Sequence, residues 1–544
     1  MAMTETRPET LPVSADAEAP TGLSTPSALE RLLGTGDHKV VGRIFMCVSL
    51  LAMAVDLALG ALVSLQASQT DALLDANLIT RLTMAHPVGL VLCGAIPFFL
   101  GLAIYLVPLQ VGSPTIAFPR AAAMSLWSWV LGTVLSAVAV AANGSYGGES
   151  LKMSRLGHVS VGLLLASLIV GSICVATTVL SHRAAGMSLD RVPFFSFSML
   201  VSSVIWVLSL PVLLAVVVLY QIQRPSAATL ASVAFPAMEW FFHQPTVFMF
   251  ALPVLGIFLD IASSASSARV SGYGIAQAAI GAAGLLSFGA WAQSALARDT
   301  AIFGIGAIAF ALPVVVVLGA GLDTLRRGSG KPTPALVAAG SSIVLLLVAA
   351  VTGAVGAVLT LGDGNLSEFA TGGFAAAALG EATNLGAGIA VGQFYLVVAA
   401  GLVGGLAAIA HWSSRIWSNP VAGTTAGPIA LVGMLGGLLF GLPHVVLGFA
   451  LPNPDVARTI ALVAAIGGFL AGTAAFAGHG AATLSSLEPG SPEDVETEGT
   501  AELQGGTLEW LTASPAPQGN FSEPLAVVSS PYPLFDGPEE GDSK

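Results

Sequence analysis

A single imidazole inside a long apolar run is the first group in this sequence that could do chemistry. His86 lies near the start of the run 84–111. Burying an imidazole there is costly unless it ligates a metal or bonds to a neighbouring helix. The second arrangement is the commoner one, and the residues alone leave both open. Asp56 stands mid-way along the run 41–66. An intramembrane carboxyl is by default a functional candidate, and its plainer reading is an uncharged acid bonded to the next helix. His243 follows the aromatic pair Phe241-Phe242 and precedes Gln244-Pro245, at the polar kink of the run 234–261. Gln393 and Tyr395 share the run 385–410. An amide there suits helix–helix bonding, and a buried phenol usually donates one hydrogen bond. Cys47, Cys93 and Cys174 lie far apart in apolar runs and read as small hydrophobes. The sequence holds no phosphate-binding glycine loop, no C-x-x-C-H heme attachment site and no hydrolytic triad pattern.

The elements that must position these groups are membrane helices. Of 544 residues, 55% are hydrophobic and only 9% are charged, with a mean hydropathy of +0.84. Soluble domains carry about 25% charged residues, so the fold class is all-α, a polytopic membrane protein whose first partner is the lipid bilayer. Spans of about 20 apolar residues fit at 41–66, 84–111, 121–143, 157–181, 193–221, 234–261, 271–295, 301–321, 334–361, 385–410, 427–450 and 457–480, a twelve-helix bundle. Lys and Arg favour the terminal side by about two to one, which predicts that both termini are cytoplasmic. Three regions follow. Residues 1–35 form a disordered, Pro-rich and acidic N-terminal tail, 36–484 the transmembrane domain, and 485–544 an extended acidic C-terminal tail. The net charge of −12 gathers in these tails, and no basic patch suggests a nucleic-acid partner. His38, His158, His182, His411 and His479 fall near span ends or in loops, where interfacial solvation accounts for them.

Several motifs occur in a fixed order. Gly36-Asp37-His38-Lys39 with Gly42 precedes the first span. The second span has Met84-Ala85-His86, Ile96-Pro97, Gly101 and Tyr105-Leu106-Val107-Pro108-Leu109-Gln110, then Ala117-Phe118-Pro119-Arg120. The sixth has Trp240 to Phe248, read W-F-F-H-Q-P-T-V-F, and the tail has Leu508-Glu509-Trp510, Ser514-Pro515 and Asn520-Phe521. Together these resemble subunit I of the heme–copper oxidases, the bacterial cytochrome c oxidase type, over about residues 36–522. The resemblance implies the twelve-helix fold, a respiratory-chain complex with further subunits, and a bacterial-type plasma membrane.

It also implies what has been replaced. His86 aligns with a low-spin heme ligand, and the second such ligand aligns with Tyr395, so at most one heme on His86 and Tyr395 is implied. The high-spin heme ligand aligns with Gln393. The family's three copper-binding imidazoles align with Gln244, Gln293 and Ser294. His243 is one residue off, a rotation of about 100° on a helix, so bound copper is not expected. Phe248 takes the place of the redox-active tyrosine. Thr115, Thr246 and Val317 stand at or near the proton-path acids and lysine. His444, in Pro443-His444 with Leu447-Gly448, matches a family motif and reads as a packing residue.

The expectation is therefore a divergent subunit I homologue that has lost oxygen reduction and proton pumping, with a structural or at most single-heme electron-transfer role. One rival is a working cytochrome c oxidase subunit I, with heme- and copper-dependent oxygen reduction. The other is a transporter or channel on the same bundle, with Asp56 and His243 as its polar sites.

Overall fold

The structure, a computed structural model, describes residues 33–223, 226–289, 301–330, 332–363, 385–417, 421, 423–450, 453–487, 505–513 and 516–536. Residues 36–544 form one compact unit, whereas nearly all of the expected N-terminal tail lies outside the described residues. Among the described residues there are helices and no strands.

Among the described residues, ten helices are long and apolar enough to cross a membrane, and each falls on one of the twelve expected spans. They are α1 (His38–Ala67), α2 (Ala76–Gln110), α3 (Pro119–Ala141), α4 (Leu151–Ser181), α5 (Phe194–Gln223), α9 (Gly304–Arg327), α10 (Pro334–Asp363), α11 (Leu385–Ile416), α12 (Gly423–Ala450) and α13 (Pro454–Leu487). Asp37 and Asp75 start the first two, accepting bonds from the backbone amides of Lys39 at 2.9 Å and Asn77 at 3.0 Å. The multi-pass membrane architecture follows from this set.

The expected sixth span is not one helix. It divides into α6 (Ala227–Phe242), a 3₁₀ turn Thr246–Phe250 and α7 (Pro253–Ser266). Pro245 and Pro253 have no amide hydrogen and cannot continue a helical ladder through the kink. Of the seventh, α8 (Tyr273–Ser287) is described.

Two helices form the centre. The apolar stretch of α2 is buried all round, and that of α11 is 94% buried, against 33% for α3 and α9. The outer helices show their Leu and Val outward, as lipid-facing surfaces do. A π turn over Leu90–Ala95 interrupts α2 one turn beyond His86, and the indole of Trp129 donates to the carbonyl of Leu92 at 2.9 Å.

Three of the five histidines expected at solvated span ends are buried instead: His38, His158 and His411. The helices run farther than the hydropathy spans, so their end turns still lie against neighbours. His158 is fully satisfied, since Nδ1 shares a 2.8 Å bond with the Tyr146 hydroxyl and Nε2 lies 2.8 Å from the carbonyl of Val217. Tyr146→Phe should therefore cost about 1 kcal/mol, read as a lower thermal midpoint of the purified protein. An unchanged midpoint would mean that this bond contributes nothing.

Candidate functional site

Helices α1 and α2 meet through two reciprocal notches. A Cβ on Gly60 would stand 2.6 Å from Cε1 and Nε2 of His86. A Cβ on Gly89 would stand 2.4 Å from Oδ1 of Asp56. Asp56 and Gly60 are one turn apart on α1, as are His86 and Gly89 on α2, so each polar side chain fills the gap left by the other helix's glycine. That close approach needs glycine at both places. The carboxyl and the imidazole consequently lie on the same helix–helix contact. The sequence singled out both residues without indicating that they share a contact.

His86 is 3% exposed, and its ring faces the backbone of Asp56 without a well-formed hydrogen bond among the described residues. Across from it stands Tyr395 of α11, with ring centres 5.6 Å apart and planes at 38°. Tyr395 stacks on Phe440 of α12 at 3.9 Å and lies 4.9 Å from His444. The Nδ1 of His444 is bonded to the carbonyl of Phe440 at 2.6 Å, and its Nε2 is 3.5 Å from the Ser64 hydroxyl. The sequence reading of His444 as a packing group agrees with these contacts. Beside His444 and Ser64 is a cavity of about 10 Å³, room for about one water.

Whether a heme fits between His86 and Tyr395 is a matter of length. With metal–ligand bonds of about 2 Å on each side, the ligating atoms stand about 4 Å apart and the ring centres several ångströms farther. The 5.6 Å between these ring centres is too short for an iron held by both side chains. In this arrangement the pair does not fit a shared heme.

The second cluster lies at the kink of the sixth span. Gln393 of α11 donates its Nε2 to Oε1 of Gln244 at 2.7 Å and to the carbonyl of Ala349 at 3.2 Å. Both amides are buried, and α10 closes over them. A Cβ on Gly353 would come within 2.0 Å of Gln244 Oε1 and 2.1 Å of Gln393 Nε2. His243 is buried next to Gln244. Phe248 stacks on Phe310 at 3.7 Å with planes 11° apart. Thr246 and Val317 are fully buried, whereas Thr115 lies in the loop after α2 and its carbonyl accepts from the Ser113 hydroxyl at 2.6 Å. Gln293 and Ser294 lie outside the described residues.

The structure thus gathers His86, Tyr395 and His444 in one cluster and Gln244 with Gln393 in another, both joined to the central helix α11. The sequence reading passed over Asp260, a buried carboxyl at the foot of the sixth span. A lone acid in an apolar run, the same signal that marked Asp56, would have found it.

A family model, cytochrome c and quinol oxidase polypeptide I, matches residues 40–361, more than half of the chain. The chain belongs to that family. A Bacillus subtilis cytochrome c oxidase subunit 1 is 25% identical over 547 aligned residues, covering 94% of this chain and 83% of the relative. A Streptomyces avermitilis protein carrying a cytochrome c oxidase subunit 1-beta name is 29% identical over 348 residues, 59% of this chain and 62% of that protein. A Bacillus subtilis quinol oxidase subunit 1 is 27% identical over 350 residues, 59% of this chain and 53% of the relative. The chain thus spans about three fifths of the length of the Streptomyces relative and about half of that of the quinol oxidase subunit. The family match includes His86, Asp56, His243 and Gln244, and ends before Gln393 and Tyr395.

Proposed function

We propose that this chain is a divergent oxidase subunit I that keeps the helical bundle and does not reduce oxygen or pump protons. Its role is structural, within a multi-subunit respiratory complex of a bacterial plasma membrane, with both termini cytoplasmic. One observation carries the reading, the 2.7 Å bond from Gln393 to Gln244. By the family resemblance these are the positions of a heme-iron ligand and a copper ligand. A carboxamide is a poor ligand for either metal beside imidazole, and here the two amides satisfy each other. Phe248 at the redox tyrosine position offers no phenolic proton, and its face is covered by Phe310.

The side-chain types at the proton-path positions support the same reading. Thr246 and Val317 give no acid or base to a proton path through the bundle, and an ionisable group is needed to hold a proton there. The name of subunit I shared by the relatives belongs to those proteins. Oxygen uptake by purified protein, supplied with reduced cytochrome c or with a quinol, should stay at the rate of the buffer control. Uptake that depends on this protein and is abolished by cyanide would restore the reading as a working oxidase.

A second reading is favoured by the buried ring of His86, whose nitrogens make no well-formed hydrogen bond. A buried imidazole without a strong hydrogen bond keeps a nitrogen lone pair for a metal, so a single heme held by His86 without Tyr395 is the form this reading takes. When bound, such a heme would supply one-electron transfer. A heme absorption band in the purified protein that His86→Ala removes would establish it.

A further inference from the structure

The C-terminal segment is more than an extended tail. Residues 505–513 and 516–536 pack on the end of the bundle where α1 begins. The Nζ of Lys39 donates to the carbonyl of Pro517 at 2.9 Å, Asn520 donates to the carbonyl of Ser113 at 2.8 Å, and Arg415 donates to the carbonyl of Thr512 at 2.6 Å. Farther along, the amide of Val528 donates to the carbonyl of Ala185 at 2.8 Å.

Its buried carboxyl is Glu509, 1% exposed in the turn Leu508–Trp510. Oε1 of Glu509 accepts from Nε2 of Gln110 at 3.0 Å and from the indole of Trp412 at 3.1 Å. The same Gln110 nitrogen donates to Oδ2 of Asp260 at 3.2 Å. Asp260 is 5% exposed and also accepts from the backbone amides of Phe194 at 3.2 Å and Phe195 at 2.9 Å. The carbonyl oxygen of Gln110 is occupied by the amide and hydroxyl of Ser196, at 3.1 and 2.7 Å. The amide is therefore locked in the orientation that offers one hydrogen to each carboxyl. Among the described residues neither carboxyl has an ion-pair partner.

We propose that the strap 505–536 is a pH-sensitive latch, docked when the Asp260–Glu509 pair shares a proton and loosened when both carboxyls are ionised. Two carboxylates joined through one amide in a buried site repel when both are charged, so the pair titrates as a unit. The groups facing Glu509 are Gln110 from α2, Trp412 and Arg415 from α11, Asp260 from α7 and Thr507 from the strap itself. Tyr273 of α8 and Tyr532 of the strap face Asp260. Arg415 is the cation among them, and its guanidinium lies over the Trp510 ring at 5.0 Å.

Burial holds Glu509 above the ordinary carboxyl range in the docked strap. Released into solvent, it returns to that range. A group whose docked value is raised binds more protons when docked, so its contribution is present at low pH and fades as pH rises through the docked value. The docking equilibrium should fall by up to about ten-fold per pH unit above that point.

Hydrogen exchange of residues 505–536 in the full-length purified protein, corrected for intrinsic rates, tests this between about pH 5.5 and 8.5. Protection of the Leu508–Trp510 turn is expected to drop as pH rises. Glu509→Gln keeps both bonds to Oε1 without the charge and should flatten the profile at high protection. Asp260→Asn should flatten it as well, and serves if the first variant fails to fold. Protection that is independent of pH in the unmodified protein, or a profile unchanged in both variants, would overturn the proposal.

Discussion

Gln393→Leu is expected to destabilise the folded bundle by about 1–2 kcal/mol, and Gln393→Leu combined with Gln244→Leu to recover most of that loss. Gln393 Nε2 now serves two acceptors, Gln244 Oε1 and the carbonyl of Ala349. Removing the donor leaves a buried amide oxygen with nothing to accept from, which costs about 1–3 kcal/mol in general and falls toward the low end inside a membrane bundle. Removing both amides trades the bond for apolar contact, a change that is close to neutral for groups of similar shape. A double-mutant cycle read by unfolding in mixed micelles gives the coupling directly. A coupling near zero would mean that the amides do not hold α11 to the sixth span.

Gly60→Val should disrupt the α1–α2 contact at the point where His86 is seated. The first carbon added already lies 2.6 Å from two ring atoms of His86 and 3.0 Å from Cζ of Phe440. Neither neighbour can retreat easily, since Phe440 is stacked on Tyr395 and His86 is enclosed. Overpacking of this kind costs about 1–3 kcal/mol and at times more, and a branched side chain adds atoms to the same crowded place. His86→Ala should restore part of the loss by vacating the ring. Folded yield and thermal midpoint of the three variants measure both effects. Full tolerance of Gly60→Val would show that α1 and α2 are not in the close contact described.

How much of this was legible beforehand depended on the range of the signal. Twenty-residue apolar runs are local, so ten spans could be placed from hydropathy alone, although helix ends such as Ala76 and Leu487 lie seven or eight residues beyond the apolar runs. Hydropathy drew the sixth as one span, and only the polar kink at His243-Gln244-Pro245 hinted at the break into separate pieces. His86 was visible as an imidazole in an apolar run, but the glycine notches that seat it and Asp56 depend on a pairing of two helices. The Gln393–Gln244 bond joins residues 149 apart in sequence, and no local pattern announces it. Histidine burial was misread for a related reason. His158 sits near the end of an apolar stretch, yet α4 begins at Leu151 and lies against Tyr146 and the carbonyl of Val217, partners that hydropathy does not report. Glu509 was marked only as part of a tail motif. Its burial depends on Gln110 and Trp412, which belong to two other helices.

The central claim concerns the oxygen-reducing centre, and metal stoichiometry tests it most directly. Copper and iron should be counted per chain in the purified protein, with a reduced-minus-oxidised visible spectrum on the same sample. The account predicts copper at the background of the buffer and no high-spin heme band that shifts with carbon monoxide. One copper per chain, together with a carbon monoxide-sensitive heme, would contradict it.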